Sequence, residues 1–229
     1  MISPLTAILQ VIFPSSCVCC GNILVVGEKM ICVNCLTQLD KTYYSSMPDN
    51  PAERQLTGRI PFEAATATYH FRKGNTVRSV VHAMKFHTCP ELCIPMGRLM
   101  ALDLMSSGRF DDIDLLVPVP LHWFRRMQRG YNQSELLCRG ISETMHRPIE
   151  SHALIRHHYT PKQSQLKGTQ RTENVKGAFR VKHPERLEGK HILLVDDVLT
   201  TGATLVACAD ALQSVEGIRI SVATFSIVQ

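Results

Sequence analysis

The sequence predicts an α/β protein: a mainly parallel sheet with helices on both faces, preceded by a small metal-binding module. Three observations carry that reading. Apolar strands alternate with helix-periodic segments from Phe62 onward, the pattern of a parallel sheet covered on both sides. Four cysteines near the start form two C-x-x-C pairs, which suits a tetrahedral four-thiolate site. One apolar strand runs into two aspartates and a Thr/Gly loop before a helix. That is where open α/β sheets bind ligands.

The elements follow in order. Met1–Phe13 is apolar, with Ile2, Leu5, Ile8, Leu9 and Ile12 at helical spacing, and predicts a short amphipathic helix. It lacks the basic start and small-residue cleavage site of a signal peptide. The metal module ends near Leu39, and residues 1–42 are assigned to it. Residues 43–61 hold Ser-Ser, Met-Pro, Asn-Pro and Thr-Gly pairs and read as a linker. The main domain spans 62–229.

Within that domain Ala64–Phe71 predicts a strand, and Asn75 caps a helix to about Phe86. Further helices are expected over Glu91–Met105, Asn132–Met145 and Ala203–Val215. Further strands are expected over Ile113–Val119, Ser151–Arg156, Ile192–Val195 and Ile218–Val228. His157–Gly177 has no clear periodicity and carries four basic residues against one acid. Loops of that length inside a compact domain are uncommon and often functional.

The 229 residues are 45% hydrophobic and 20% charged, which excludes wholesale disorder. No apolar run reaches the ~18–20 residues of a membrane-spanning helix. With no export signal either, the expected location is cytoplasmic. Net charge is +5, and it is unevenly placed. Between Leu121 and Lys182 stand 12 Lys/Arg and 4 Asp/Glu, a net +8, while the remainder carries −3. Such asymmetry favours a phosphate-bearing partner, either a small ligand or nucleic acid.

There are nine cysteines, and an odd number without an export signal argues against a disulfide framework. Cys17 with Cys20 and Cys32 with Cys35 present four soft thiolates, which favour zinc over magnesium or calcium. Gly21 stands where a tight turn is needed. Four sulfurs leave no open coordination position, so the expected role is structural. Cys19 is a spare thiol beside the first pair, and Cys89, Cys93, Cys138 and Cys208 read as small apolar residues.

The chemistry is concentrated in His191–Thr204, HILLVDDVLTTGAT. Asp196 and Asp197 can accept hydrogen bonds from two neighbouring hydroxyls, as on a ribose ring. Thr200, Thr201, Gly202, Ala203 and Thr204 offer hydroxyls and successive N–H groups at a helix start, which suits a monophosphate. Neither the Gly-Lys-Ser/Thr of a nucleoside-triphosphate loop nor a G-x-G-x-x-G fingerprint is present. The segment reads as a ribose-5-phosphate cradle.

HILLVDDVLTTGAT resembles the signature of type I phosphoribosyltransferases, which bind 5-phosphoribosyl-1-pyrophosphate. With the four-cysteine module, VPVP at Val117, Pro118, Val119 and Pro120, RGYNQ at Arg129–Gln133, and Met84-Lys85-Phe86, the whole chain resembles the ComF/GntX family. That family includes bacterial competence proteins of natural transformation. The resemblance implies that Asp196 and Asp197 are the catalytic-site carboxylates holding the ribose hydroxyls, and that Thr200–Thr204 hold the 5-phosphate. It places Val117–Pro120 facing the pyrophosphate and makes Lys85 and Arg129 anion contacts. Gln163 and Arg171 match the family's long loop, which with Lys162 and Lys167 would form a closing lid.

The implied reaction displaces pyrophosphate from C1 of the sugar, with magnesium neutralising the leaving group. The alternative is a non-catalytic sensor of phosphoribosyl pyrophosphate working with single-stranded DNA or a competence helicase. Arg125 and Arg126 read equally as polyanion contacts or a solvated basic turn. Trp123 and Tyr131 read as packing residues. The ten histidines show no H-x-x-x-H or Ser/His/Asp arrangement in the sequence.

Overall fold

The computed structural model of the chain describes residues 15–86, 89–121, 123–156 and 177–228. The helix expected over Met1–Phe13, and Lys162, Gln163, Lys167 and Arg171 of the expected lid, lie outside the described residues.

The described helices are α1 (Val33–Thr37), α2 (Pro51–Leu56), α3 (Thr76–Lys85), α4 (Cys93–Met105), α5 (Trp123–Arg129), α6 (Gln133–Met145) and α7 (Ala203–Leu212). The strands are β1 (Ala65–Phe71), β2 (Leu115–Pro118), β3 (Leu154–Arg156), β4 (Phe179–Val181), β5 (His191–Leu199) and β6 (Arg219–Val228). Four of them form one sheet in the order β1-β6-β5-β2, with every neighbouring pair parallel. The α/β reading therefore holds, with helices on both faces.

Side chains of β5 alternate between those faces, as a pleated strand requires. Leu193 and Val195 pack with Val80 of α3, Met100 of α4 and Leu137 of α6. Ile192 and Leu194 pack with Leu56 of α2, Leu205 and Leu212 of α7, and Leu154 and Phe179 of β3 and β4. Each such fully buried aliphatic side chain contributes roughly 1.5–3 kcal/mol. On the first face α4 and α6 cross at two glycines. A Cβ on Gly97 would lie 2.2 Å from the Leu137 carbonyl oxygen, and one on Gly140 would lie 2.0 Å from that of Ile94. Any side chain there would push the helices apart.

Three expectations change. β5 runs on to Leu199, because Asp196, Val198 and Leu199 keep their register with Thr224, Ser226 and Ile227 of β6. The aspartates interrupt the apolar run but not the backbone ladder. β3 does not join the parallel sheet. It pairs antiparallel with β4, a strand the sequence reading lacked, through Leu154–Val181 and Arg156–Phe179.

Residues 43–61 are not a bare connector. Lys41 bridges antiparallel to Tyr69, and the Thr42 N–H donates to the Thr68 carbonyl at 3.0 Å. This covers the free edge of β1, which would otherwise be an open template for pairing. Asn50 then donates from Nδ2 to the carbonyls of Tyr44, Met47 and Ala65. Its Oδ1 accepts from the N–H groups of Ala52 and Glu53 and so caps α2. Pro51 begins that helix, where its missing N–H costs nothing. The Glu53 carboxylate accepts from the N–H of Ala65 and from Arg109 Nη2. Of the polar residues that suggest a linker, Ser45 and Asn50 are buried.

Candidate functional site

The two C-x-x-C pairs converge. The Sγ atoms of Cys17, Cys20, Cys32 and Cys35 all lie within 4.8 Å of one another. Each pair sits on its own turn. The Gly21 N–H donates to the Cys17 carbonyl at 2.9 Å, with Gly21 at φ +76°. Cys32 caps α1, its Sγ accepting from the Cys35 N–H. Cys20 and Cys32 sulfurs are 3.8 Å apart, about the edge of a tetrahedron with ~2.3 Å zinc–sulfur bonds. The donor set and its spacing thus fit a zinc ion. Cys19 stands beside the cluster and is not one of its four members.

The second constellation lies towards the carboxyl ends of the parallel strands. Asp196 and Asp197 continue the alternation of β5. Asp197 meets α3, where Lys85 Nζ lies 3.1 Å from its Oδ2. Asp196 Oδ1 accepts from Ser134 Oγ at 3.1 Å and from the Asp197 N–H at 2.9 Å. Burial, and next the charge of Asp197, push the Asp196 carboxyl up to about 7, against the pull of Lys85.

Beyond Leu199 the chain leaves β5 and turns through Thr200 and Thr201 to Gly202, which caps α7 at φ +72°. A side chain other than glycine is strained there. The loop walls a small concavity with Asp196 at one side and Ala203, Thr204 and Leu205 at the other. The first-turn N–H groups of α7 have no intrahelical acceptors, which makes this end of the helix favourable for an anion.

Three short motifs, far apart in sequence, are tied together here. Tyr131 donates its hydroxyl to the Met84 carbonyl at 2.7 Å, so RGYNQ pins the segment carrying Lys85. Asn132 donates from Nδ2 to the Val119 carbonyl at 3.0 Å, and its Oδ1 accepts from the Ser134 N–H to cap α6. Val119 in turn donates its N–H to the Val195 carbonyl. All described peptide bonds are trans, including those preceding Pro118 and Pro120. The Arg129 guanidinium stacks over Phe86 at 5.8 Å. Burial lowers its pKa, opposed by Asp197 and aided by Arg125.

Of the expected residues, Asp196, Asp197, Lys85, Arg129, Val117–Pro120 and Thr200–Thr204 therefore gather at one end of the sheet. Trp123 departs from expectation. It is 60% exposed, at the start of the short helix α5, with Phe124 at 40% and Met127 at 74%.

Four further residues belong to the site. Ser134 bonds Asp196 and directly follows RGYNQ, so its place was within reach of the motif. Arg156, at the end of β3, stacks over Phe179 at 5.3 Å and feels both Arg125 and Asp196. Gln55 donates from Nε2 to the Thr200 carbonyl, and Arg59 from Nη1 to the Thr201 carbonyl at 2.6 Å. The last two contacts span more than 140 residues, and no local signal marks them.

The phosphoribosyl transferase domain family matches residues 148–226, which include β5, the loop and α7. The chain is 31% identical over 210 residues to DNA utilization protein YhgH of Escherichia coli strain K12, covering 87% of this chain and 91% of that protein. It is 34% identical over 114 residues to Competence protein F of Haemophilus influenzae, covering 48% and 50%. Among solved structures it resembles a glutamine phosphoribosylpyrophosphate amidotransferase from B. subtilis at 17% identity and a TM-score of 0.37. That match covers 57% of this chain and a quarter (25%) of that one, too loose a likeness to carry structural inference.

Proposed function

The chain belongs to the ComF/GntX family of competence and DNA-utilization proteins built on a phosphoribosyl transferase domain, and on that premise we propose that it binds 5-phosphoribosyl-1-pyrophosphate at the carboxyl end of β5 and transfers the phosphoribosyl group. The observation that carries this reading is the Asp196–Asp197 pair beside the Thr200–Thr204 loop at the start of α7. The loop holds the 5-phosphate by N–H groups and hydroxyls. The carboxylates accept from the ribose 2- and 3-hydroxyls. Asp197 is kept in place by Lys85, and Asp196 by Ser134.

In the reaction, the bond from C1 to the pyrophosphate oxygen breaks and positive charge develops on the sugar ring. The acceptor's lone pair forms the new bond to C1. The carboxylates fix the ring, and Lys85, Arg129 and Val117–Pro120 line the side where pyrophosphate departs. The protein thus works by positioning and electrostatics. Magnesium, when bound with the substrate, supplies neutralisation of the pyrophosphate charge. The four thiolates hold a structural zinc for a module, residues 1–42, whose own core is too small to stabilise it. The main domain is 62–229, with 43–61 docked on it through Asn50, Glu53 and Leu56. The protein acts in the cytoplasm, in DNA uptake or use.

Calorimetric titration of phosphoribosyl pyrophosphate with magnesium tests this reading. Wild type should bind in the micromolar range, and Asp196→Asn with Asp197→Asn should bind about 100-fold more weakly or not at all. A folded, zinc-loaded wild type that binds nothing would remove the transferase reading.

A second reading has its own support. Exposed Trp123, Phe124 and Met127 alternate with Arg125, Arg126 and Arg129 on α5. Aromatic faces among arginines suit single-stranded nucleic acid. On this reading the sugar-phosphate site is a sensor and α5 engages single-stranded DNA, with a helicase as companion. Binding of an oligothymidylate should then weaken steeply with salt and be reduced by Trp123→Ala.

A further inference from the structure

The 5-phosphate loop is held from behind by a part of the chain that lies outside the strand–loop–helix unit. Gln55 Nε2 donates to the Thr200 carbonyl. Arg59 Nη1 donates to the Thr201 carbonyl at 2.6 Å and to the Gln55 carbonyl at 3.1 Å. A trans peptide is planar, with the carbonyl of one residue and the N–H of the next pointing in opposite directions. Turning the Thr200 and Thr201 carbonyls toward Gln55 and Arg59 therefore turns the N–H groups of Thr201 and Gly202 the other way. These are the two amides that lead into α7.

We infer that Gln55 and Arg59 are positioning residues that clasp the loop's two outward carbonyls and so aim the Thr201 and Gly202 N–H groups at the ligand's 5-phosphate. The inference rests on the cradle reading above and extends it to a segment with no part in the motif. Without the clasp each peptide plane is free to flip, which would present a carbonyl oxygen to the anion. The close packing supports the same role. A Cβ on Gly202 would lie 3.1 Å from both Arg59 Nη1 and Leu56 Cδ2, so the loop backbone rests directly on the clasp.

The clasp is itself anchored. Asn50 and Glu53 fix α2 to β1 through Ala65, and Leu56 is fully buried in the core. The Arg59 guanidinium also places a permanent positive charge behind the loop, where it favours an anion in front. The charge and the oriented dipoles act in the same sense.

The test titrates ribose 5-phosphate, and separately magnesium pyrophosphate, into the full zinc-loaded chain and its Arg59→Ala, Arg59→Lys and Gln55→Ala variants. Arg59→Ala should weaken ribose 5-phosphate about tenfold and Gln55→Ala about threefold. Magnesium pyrophosphate affinity and the melting temperature should stay at the wild-type values. Arg59→Lys, which keeps a donor, should recover part of the loss. The Thr201 amide proton should move downfield on ribose 5-phosphate binding in wild type and move less in Gln55→Ala, and the Gly202 amide proton should do the same with Arg59→Ala. Folded variants with wild-type affinity for ribose 5-phosphate would overturn the clasp, as would equal weakening of both ligands. A wild type that ignores ribose 5-phosphate would overturn the cradle reading itself, and the clasp with it.

Discussion

The two ends of the parallel sheet both carry charged groups, and they treat them differently. At the amino end, buried His191 places Nε2 2.9 Å from Ser221 Oγ and Nδ1 3.0 Å from Asp112 Oδ1. Asp112 also takes Arg219 Nη1 at 2.8 Å, and Asp114 accepts the His191 N–H. Arg219, followed by His191, holds the Asp112 carboxyl below its usual range. At the carboxyl end burial works against the charged forms, raising Asp196 and lowering Arg129. Here the contrast separates a structural brace from a candidate ligand site. The amino end has the order Ser–His–Asp of a hydrolytic triad, but Ser221 has no exposed surface, so a substrate has no route to it.

Four changes probe the contrast. The largest effect is expected from His191→Ala, which leaves a cavity and an unpaired Ser221. It should lower stability by about 2–4 kcal/mol in urea unfolding and leave sugar-phosphate affinity alone. Lys85→Met should do the reverse, weakening phosphoribosyl pyrophosphate about tenfold at nearly unchanged melting temperature. Asp112→Asn removes a half-exposed, screened partner, so a loss of only about 1 kcal/mol is expected. An Asp112→Asn protein that failed to fold would contradict the view of that carboxylate as a supporting member of the brace.

The fourth test is a pH dependence. The unfolded Asp196 carboxyl loses its proton near 4, while in the fold it keeps it to about 7. Between those values the native state binds more protons, so this group's contribution to stability falls as pH rises. The melting temperature of Asp196→Asn relative to wild type should therefore climb from pH 5 to pH 7 and level off above. A constant difference across that range would show that Asp196 titrates as an ordinary carboxylate.

What could be read from the chain follows from how local each signal is. Asn75 caps its helix as expected, because a cap acts within three residues. The loop before α7 was legible because its chemistry is contiguous. The sequence places the carboxyl end of β5 four residues short, since the aspartates that make the site look like a strand's end. Residues 43–61 read as a linker because pairs such as Asn50-Pro51 mark turns, while the burial of Asn50 is set by contacts that composition does not report. Gln55 and Arg59 left no trace, because their partners lie across the fold. α5 is short, and Trp123 on it reads from the sequence as a packing residue.

Strand order also has a consequence in time. β1 lies beside β6, yet β6 is encoded after every other described strand. From the end of β1 to the start of β6 a ribosome needs on the order of 10 s. During that interval one side of β1 has no neighbour, while residues 40–42 are already available to cover the other. The four cysteines, all before residue 36, can be metal-bound long before the sheet closes. Among these described parts the metal module is therefore made before the sheet, and the strand that joins the sheet's two halves is made after the other strands. A nascent chain halted before Arg219 would carry its ligand loop without the strand that holds β1 to β5.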